Sequence, residues 1–465
     1  MILDLNRHSF ATYKKELMSL ITLALPMLLA QVAQVGTGFV DTVMAGGAGK
    51  SDLAAVALGN SLFITVYITL MGVMSGINPM ISQEHGAVSK GKQSPTMIGE
   101  YGRQALWYGL MWGVLGMVVM WLAIAPFQAF FSLSEYTLSM TGEYLWFAGF
   151  AMPAAMIHRA LHAYASSLNK PKAIMVVSWL CFFLNIPLNW VFVYGKFGMP
   201  ELGGAGCGLA TAIVFWVNAL VLGLCIAKDR YFAEFGLTDK FSLPDMSFFK
   251  EMTRLGIPIG LSFFVEVSLF TCIMFLVARL GGDTENYVAA QQVVISLTSI
   301  IYMIPQSLGI ASTVRVGFCL GKRQLSTARY VSGVAVMSAM GISLMTALLI
   351  VLLRYQLPAM YTDDVAVIGI AATVLLFAAA FQLVDAVQCV ASYALRGYKV
   401  TTVPMIMHLV AFWGCGLVPG YVLAFYFGMG IYGFWTALVI SLAVAAVFLA
   451  WYLEVHSKKV MRGVA

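Results

Sequence analysis

Residues 24–46 read ALPMLLAQVAQVGTGFVDTVMAG, an apolar stretch long enough to cross a lipid bilayer that also carries Gln31, Gln34, Gly38 and Asp41. These four residues recur at helical spacing, so an α-helix places them on one face. An acid at the bilayer centre costs about 2.5–3.5 kcal/mol on insertion scales, and it usually faces a partner or a watery cavity. The stretch therefore predicts a membrane-spanning helix with one polar, functional face.

The rest of the chain has the same apolar character. The sequence of 465 residues is 60% hydrophobic and only 10% charged. A membrane crossing needs about 20 apolar residues, and hydropathy divides the chain into twelve such stretches. The predicted spans lie near residues 17–44, 53–81, 102–126, 138–161, 173–195, 203–227, 255–280, 287–316, 328–353, 366–394, 403–426 and 428–453. We therefore expect an all-α integral membrane protein.

The distribution of the basic residues predicts the orientation of these spans. If the N-terminus is cytoplasmic, the outer side receives only Lys50, Lys196, Arg279 and Arg354 of the 27 lysines and arginines. Cytoplasmic loops are enriched in these residues, so the pattern predicts that both termini are cytoplasmic and that the protein lies in the cell (inner) membrane. The net charge of +6 then reflects topology and does not indicate a nucleic-acid partner.

A polar connection after the sixth span divides the chain into two lobes. We predict an N-terminal six-helix lobe at 1–228, a cytoplasmic linker at 229–250 and a C-terminal six-helix lobe at 251–465. Shifting the sequence over itself by about 230 residues places Pro26 opposite Pro258 and produces further matches in the same order. Six spans per half predict a parallel repeat about a pseudo-twofold axis, with the substrate path between two lobes that alternate access by rocking. A monomer suffices for such a path.

The embedded acids of the second half predict a cation site. Glu266 lies in the seventh span and Asp385 in the tenth, and the eighth span adds Gln292 and Ser296 on a polar row. Carboxylate and amide oxygens are hard donors that suit Na+, and burial also favours the proton-bound form of an acid. We predict that Glu266 and Asp385 bind the coupling ion, Na+ or H+, and that Gln292 and Ser296 face the substrate.

Polar residues of the first half predict a second site. Asn185 and Asn189 are four residues apart in the fifth span, and we expect them to hydrogen-bond to Asp41. With Gln34, these residues are the predicted substrate contacts of the N-terminal lobe. The structural alternative is that these amides only join helices.

Two further acids lie outside the spans. Asp363 and Asp364 occupy the outer connection between the ninth and tenth spans, where they are either simply solvated or form an electrostatic lip for departing cationic substrates. Lipophilic cations would also suit the abundant aromatic residues, through cation–π contacts.

Other functional classes find little support in the sequence. Gly49-Lys50-Ser51 resembles the end of a phosphate-binding loop, but Met44 stands where the first glycine is required, so we expect an ion gradient to supply the energy. No nucleophile–base pair or metal-ligand cluster indicates a membrane-embedded enzyme or a bound cofactor. A passive channel is an open alternative.

The chain resembles the multidrug and toxic compound extrusion (MATE) family, most closely its NorM branch. The likeness is carried by the quoted stretch at 24–46, by LNIPLNWVFVYGKFGMP at 184–200, by YVAAQQVVISLTSIIYMIPQS at 287–307 and by LVDAVQCVASYALRGYK at 383–399. It extends over essentially the whole sequence.

This resemblance implies a fold, an activity and roles for particular residues. The fold would be a V-shaped bundle of twelve helices, and the activity would be export of organic cations, such as dyes and fluoroquinolones, against inward Na+ or H+. The family's coupling site falls on Glu266 and Asp385, with Tyr302 as an associated aromatic residue. Its drug contacts fall on Asp41 and on Asp363 and Asp364. A lipid-linked sugar flippase of the wider superfamily is the alternative, although its cavity would be basic whereas the embedded charges here are acidic.

Overall fold

The computed structural model describes residues 9–130, 134–281 and 284–463, and all regular elements within these ranges are helical. In the first half of the chain the structure contains α1 (Phe10–Ala48), α2 (Lys50–Met74), α3 (Ile77–Ser89), α4 (Pro95–Phe130), α5 (Glu135–Gly149), α6 (Ala151–Ser167), α7 (Lys172–Tyr194), α8 (Gly204–Lys228) and α9 (Arg230–Ala233). The all-α prediction is confirmed.

The second half contains longer helices. They are α10 (Met246–Val277), α11 (Thr284–Gly321), α12 (Leu325–Leu352), α13 (Gln356–Ala359), α14 (Val365–Gly397), α15 (Thr402–Leu409), α16 (Val418–Tyr421) and α17 (Ile431–Met461). Between α15 and α17, two π-helical segments at Val410–Leu417 and Val422–Tyr426 keep the chain helical on either side of α16.

Eleven helical segments of the described chain are long and apolar enough to cross a membrane, one fewer than the sequence predicts. The difference lies at the predicted span 138–161, which the structure divides into α5 and α6 at Phe150. Pro153 explains the break, because it has no N–H to donate to the carbonyl oxygen of Gly149 at the end of α5. Phe150 itself has helical backbone angles, so the two short helices follow one another without a loop.

The chain packs into two compact units. The N-terminal unit is Pro26–Gly260, and the C-terminal unit combines the described residues before Pro26 with those after Gly260. These units differ from the predicted lobes, which follow chain order. The part of α1 before Pro26 packs with the C-terminal unit, and the part of α10 up to Gly260 packs with the N-terminal unit. The change of unit falls next to Pro26 in α1 and close to Pro258 in α10, where a proline removes one helical hydrogen bond.

Glycines allow close helix packing in the N-terminal unit. A Cβ atom added at Gly113 would lie 2.5 Å from the Cα of Pro153, and one at Gly256 would lie 2.2 Å from the carbonyl oxygen of Val73. Such close approach between backbones is what small residues permit in membrane helices. The connection predicted as a linker also packs on this unit, because Arg103 of α4 donates to the backbone oxygens of Gly236 and Leu237.

Two polar contacts tie the C-terminal unit together. Trp435 of α17 is fully buried and donates its indole N–H to Gln291 Oε1 of α11 at 2.8 Å. Arg315 of α11 pairs with Glu16 of α1 through two hydrogen bonds of 3.0 and 3.1 Å. The second contact holds the first part of α1 against this unit.

Candidate ion and substrate sites

Asp41 forms the centre of a buried hydrogen-bond cluster in the N-terminal unit. Its Oδ1 accepts from Asn185 Nδ2 at 3.2 Å and from Asn189 Nδ2 at 2.7 Å, and its Oδ2 accepts from Thr211 Oγ1 at 2.9 Å. The two asparagines are completely buried and Asp41 is 7% exposed. The predicted partnership of Asp41 with Asn185 and Asn189 is therefore confirmed, while Thr211 of α8 was missed because one threonine in an apolar helix has no distinguishing pattern.

Burial changes the possible role of the two asparagines. Since neither Asn185 nor Asn189 exposes any surface, they orient the Asp41 carboxylate and do not line an open cavity. Gln34, about two helical turns before Asp41, donates its amide to the hydroxyl of Tyr67 at 2.7 Å. The polar face of α1 is thus bound to α2, α7 and α8 within this unit.

The C-terminal unit brings its two predicted acids together. Asp385 of α14 is 2% exposed and its Oδ1 accepts from Gln388 Nε2 at 2.8 Å. Glu266 of α10 lies within electrostatic range of both Asp385 and Arg396. Two carboxylates and one guanidinium group therefore share this region, and together they carry one unbalanced negative charge when all three are ionised.

Aromatic side chains surround these charges. The hydroxyl of Tyr302 accepts from Cys389 Sγ at 3.6 Å and lies within electrostatic range of Glu266 and Asp385. The guanidinium of Arg396, which is 4% exposed, lies 3.8 Å from the centre of the Tyr393 ring. Cation–π contact with this ring partly compensates for the loss of water around Arg396.

A hydrogen-bonded chain leads away from Asp385 to a residue that the sequence did not single out. Gln388 Oε1 is 2.9 Å from His408 Nε2, and the imidazole stacks on Phe412 with ring centres 5.3 Å apart. His408 is only 6% exposed. A lone histidine in an apolar span gave no signal, because its partner lies on another helix twenty residues earlier in the sequence.

Four predicted substrate residues lie outside both clusters. Gln292 is exposed and Ser296 is half-buried on α11, and neither side chain makes a hydrogen bond to the part of the chain that the structure describes. Asp363 is exposed, and Asp364 caps α14 by accepting from the backbone N–H groups of Ala366 and Val367. Asp364 thus has a structural role whether or not it also meets a substrate.

The donor set of the C-terminal cluster fits a hard cation. The available ligand atoms are the oxygens of Glu266, Asp385 and Tyr302, the type that Na+ prefers over thiolate or imidazole. Among the described residues there is no group of three or more His, Cys, Asp or Glu side chains placed to hold a metal ion.

Buried carboxylates inside apolar helices are typical of membrane proteins that move ions or charged substrates. The fold and these clusters define a multi-pass membrane transporter. The chain belongs to the MatE family, whose model matches it twice, over residues 26–191 and 258–422. The double match begins at the two prolines that the sequence shift aligned, and it identifies the protein as a multidrug efflux transporter rather than a member of an enzyme class.

Named relatives and solved structures agree with this assignment. The chain is 61% identical to the "Probable multidrug resistance protein NorM" of Neisseria meningitidis serogroup A, over 99% of both sequences. It is 39% identical to the "Multidrug resistance protein PmpM" of Pseudomonas aeruginosa, over 97% of this chain and 93% of the relative. The "MATE transporter NorM-NG", solved in complex with the dye rhodamine 6G and a monobody, matches with a TM-score of 0.79 and 57% identity, over 94% of each chain.

Proposed function

We propose that this protein exports lipophilic organic cations in exchange for inward-moving Na+ or H+, with Glu266 and Asp385 binding the coupling ion. The observation that carries the proposal is the charge balance of the C-terminal cluster. Arg396 compensates one of the two carboxylates, and the second needs a mobile cation because an uncompensated charge away from water is costly. Na+ or a proton supplies that charge.

The substrate class follows from chemistry and from the related structure. The relative NorM-NG was solved with rhodamine 6G, a flat, lipophilic dye, and Asp41 offers a carboxylate to the positive charge of such a molecule. Asp363 and Asp364 add exposed negative charge, which attracts cations over a range of about 10 Å at ordinary salt. Gln34, Asn185 and Asn189 orient the N-terminal site, and Gln292 and Ser296 offer further polar contacts.

Antiport requires that the ion and the drug disfavour each other's binding. This coupling free energy is reciprocal, so Na+ that binds at Glu266 and Asp385 must lower drug affinity by the same factor by which the drug lowers Na+ affinity. We also propose that the protein is a monomer in the inner membrane with both termini cytoplasmic. In this orientation Na+ enters from the outer side and the drug is captured from the cytoplasmic side. No bound cofactor is required.

Export of rhodamine 6G from proteoliposomes tests the proposal. A Na+ gradient is imposed at fixed pH and clamped potential, and then a pH gradient at fixed Na+. We expect one of the two gradients to drive export and Glu266→Gln to abolish that dependence, while Glu143→Gln, which neutralises an exposed acid of the N-terminal unit, behaves as wild type. Export that neither gradient accelerates would refute antiport, and gradient-driven export by Glu266→Gln would refute the ion site.

A further inference from the structure

The hydrogen-bonded chain from Asp385 through Gln388 to His408 has a defined direction. An amide carbonyl oxygen only accepts hydrogen bonds, so the contact of 2.9 Å between His408 Nε2 and Gln388 Oε1 requires a proton on Nε2. The amide nitrogen of Gln388 then points at Asp385 Oδ1, at 2.8 Å. His408 thereby decides which end of the Gln388 amide faces the carboxylate.

The imidazole itself is held in place. It stacks on Phe412 with an angle of 5° between the ring planes, and the side chain is 6% exposed. Phe412 lies in the π-helical segment Val410–Leu417, one turn after His408, so the ring that aligns the imidazole belongs to the same stretch of chain. A buried donor with restricted ring orientation is suited to fix its hydrogen-bond partner.

The two oxygens of the Asp385 carboxylate differ in their hydrogen bonding. Oδ1 accepts from Gln388, whereas Oδ2 accepts no hydrogen bond from the residues that the structure describes. Oδ2 is consequently the oxygen that remains for an ion beside Glu266. If the Gln388 amide turned over, its oxygen would face the carboxylate, repel it and remove the bond that keeps Oδ2 in place.

We propose that His408 and Gln388 are positioning residues that orient Asp385 for the coupling ion. The inference rests on the proposed function, because it gives Asp385 a mobile cation to bind. Outer partners of metal ligands typically change ion affinity by about 10- to 100-fold when they are removed. For a weakly held ion we expect the low end, an increase of about tenfold in the Na+ concentration that gives half-maximal export.

Three variants separate this role from a general role in packing. His408→Phe keeps an aromatic ring against Phe412 but removes the donor, and Gln388→Met breaks the chain from its other end. His408→Gln offers an amide N–H in place of Nε2–H and serves as the rescue. The matched control is His456→Phe on α17, whose imidazole stacks on Tyr452 with ring centres 5.9 Å apart and belongs to the same unit.

The measurements are the Na+ dependence of rhodamine 6G export and the affinity for the dye without Na+; if the proton gradient drives export, the external proton concentration replaces Na+. We expect His408→Phe and Gln388→Met to raise the half-maximal ion concentration about tenfold while dye affinity stays unchanged. His408→Gln should return the ion response to within about threefold of wild type, and His456→Phe should not alter it.

Other results overturn the inference in distinguishable ways. If both donor-deleting variants respond to the ion as wild type does, or if dye affinity falls together with the ion response, His408 and Gln388 do not position Asp385. Asp385→Asn reports on the underlying function: a wild-type ion response in that variant shows that the ion site itself is misassigned. Should His408→Phe fail to fold, Gln388→Met decides the question alone.

Discussion

The Asp41 cluster permits a quantitative prediction for the N-terminal unit. Three hydrogen bonds from α7 and α8 end on this one carboxylate. Interhelical hydrogen bonds in membrane proteins average about 0.6 kcal/mol and reach about 1.7, so together they stabilise the unit by roughly 2 kcal/mol, with an upper limit of roughly 5. Asp41→Leu removes all three and takes away the acceptor of the Asn185 amide and of the Thr211 hydroxyl, whereas Asn189 Nδ2 keeps Asn185 Oδ1 at 2.9 Å.

Asp41→Asn separates hydrogen bonding from charge. Its amide oxygen can still accept from Asn185 and Asn189, and the hydroxyl of Thr211 can turn to accept from the new amide nitrogen, since a hydroxyl is both donor and acceptor. We therefore expect the free energy of unfolding to fall by less than about 1 kcal/mol in Asp41→Asn and by roughly 2 kcal/mol in Asp41→Leu. Thr211→Val, which removes one bond, should lower it by about 0.6 kcal/mol.

Thermal unfolding of the purified variants in one detergent, followed by tryptophan fluorescence, measures this order. Binding of rhodamine 6G is measured on the same samples. Both Asp41 variants should bind the dye more weakly, because both lack the carboxylate charge, although only Asp41→Leu should be markedly less stable. Equal unfolding temperatures for Asp41→Asn and Asp41→Leu would refute the idea that these three hydrogen bonds stabilise the unit.

Three further predictions concern parts of the structure outside the two clusters. Asp364→Ala should lower thermal stability by about 1 kcal/mol because α14 loses its N-cap, whereas Asp364→Asn keeps the cap and isolates any effect of the charge on dye export. Gly99→Ala should prevent stable expression, because its Cβ would lie 2.1 Å from a backbone oxygen. Gly341→Ala on α12 has open space around the new Cβ and should be neutral or stabilising. Fluorescence-detected size-exclusion chromatography measures both outcomes. Removing either partner of the Glu16–Arg315 pair should cost about 1–3 kcal/mol, since the Arg315 side chain is 24% exposed, and the double variant Glu16→Gln/Arg315→Gln should recover part of that loss in a double-mutant cycle.

Hydropathy was sufficient to predict most of the architecture. A helix satisfies its own backbone hydrogen bonds, so twenty apolar residues in a bilayer have few alternatives to a helix, whatever their neighbours are. Hydropathy does not reveal the break between α5 and α6, because Pro153 lies inside one predicted span, 138–161. The family resemblance, with its implied roles for Glu266 and Asp385, was likewise available from the sequence.

Tertiary structure decided which polar groups meet. The pairing of Asp41 with Asn185 and Asn189 could be predicted, because the polar residues of each helix repeat at helical spacing and have few other polar groups to contact. Thr211 and His408, in contrast, stand alone in apolar helices. Their contacts depend on which helices are neighbours and on how each is rotated. The division of α1 and α10 between two units is of the same kind, since the sequence marks Pro26 and Pro258 as points of weakness but packing determines what lies on either side of them.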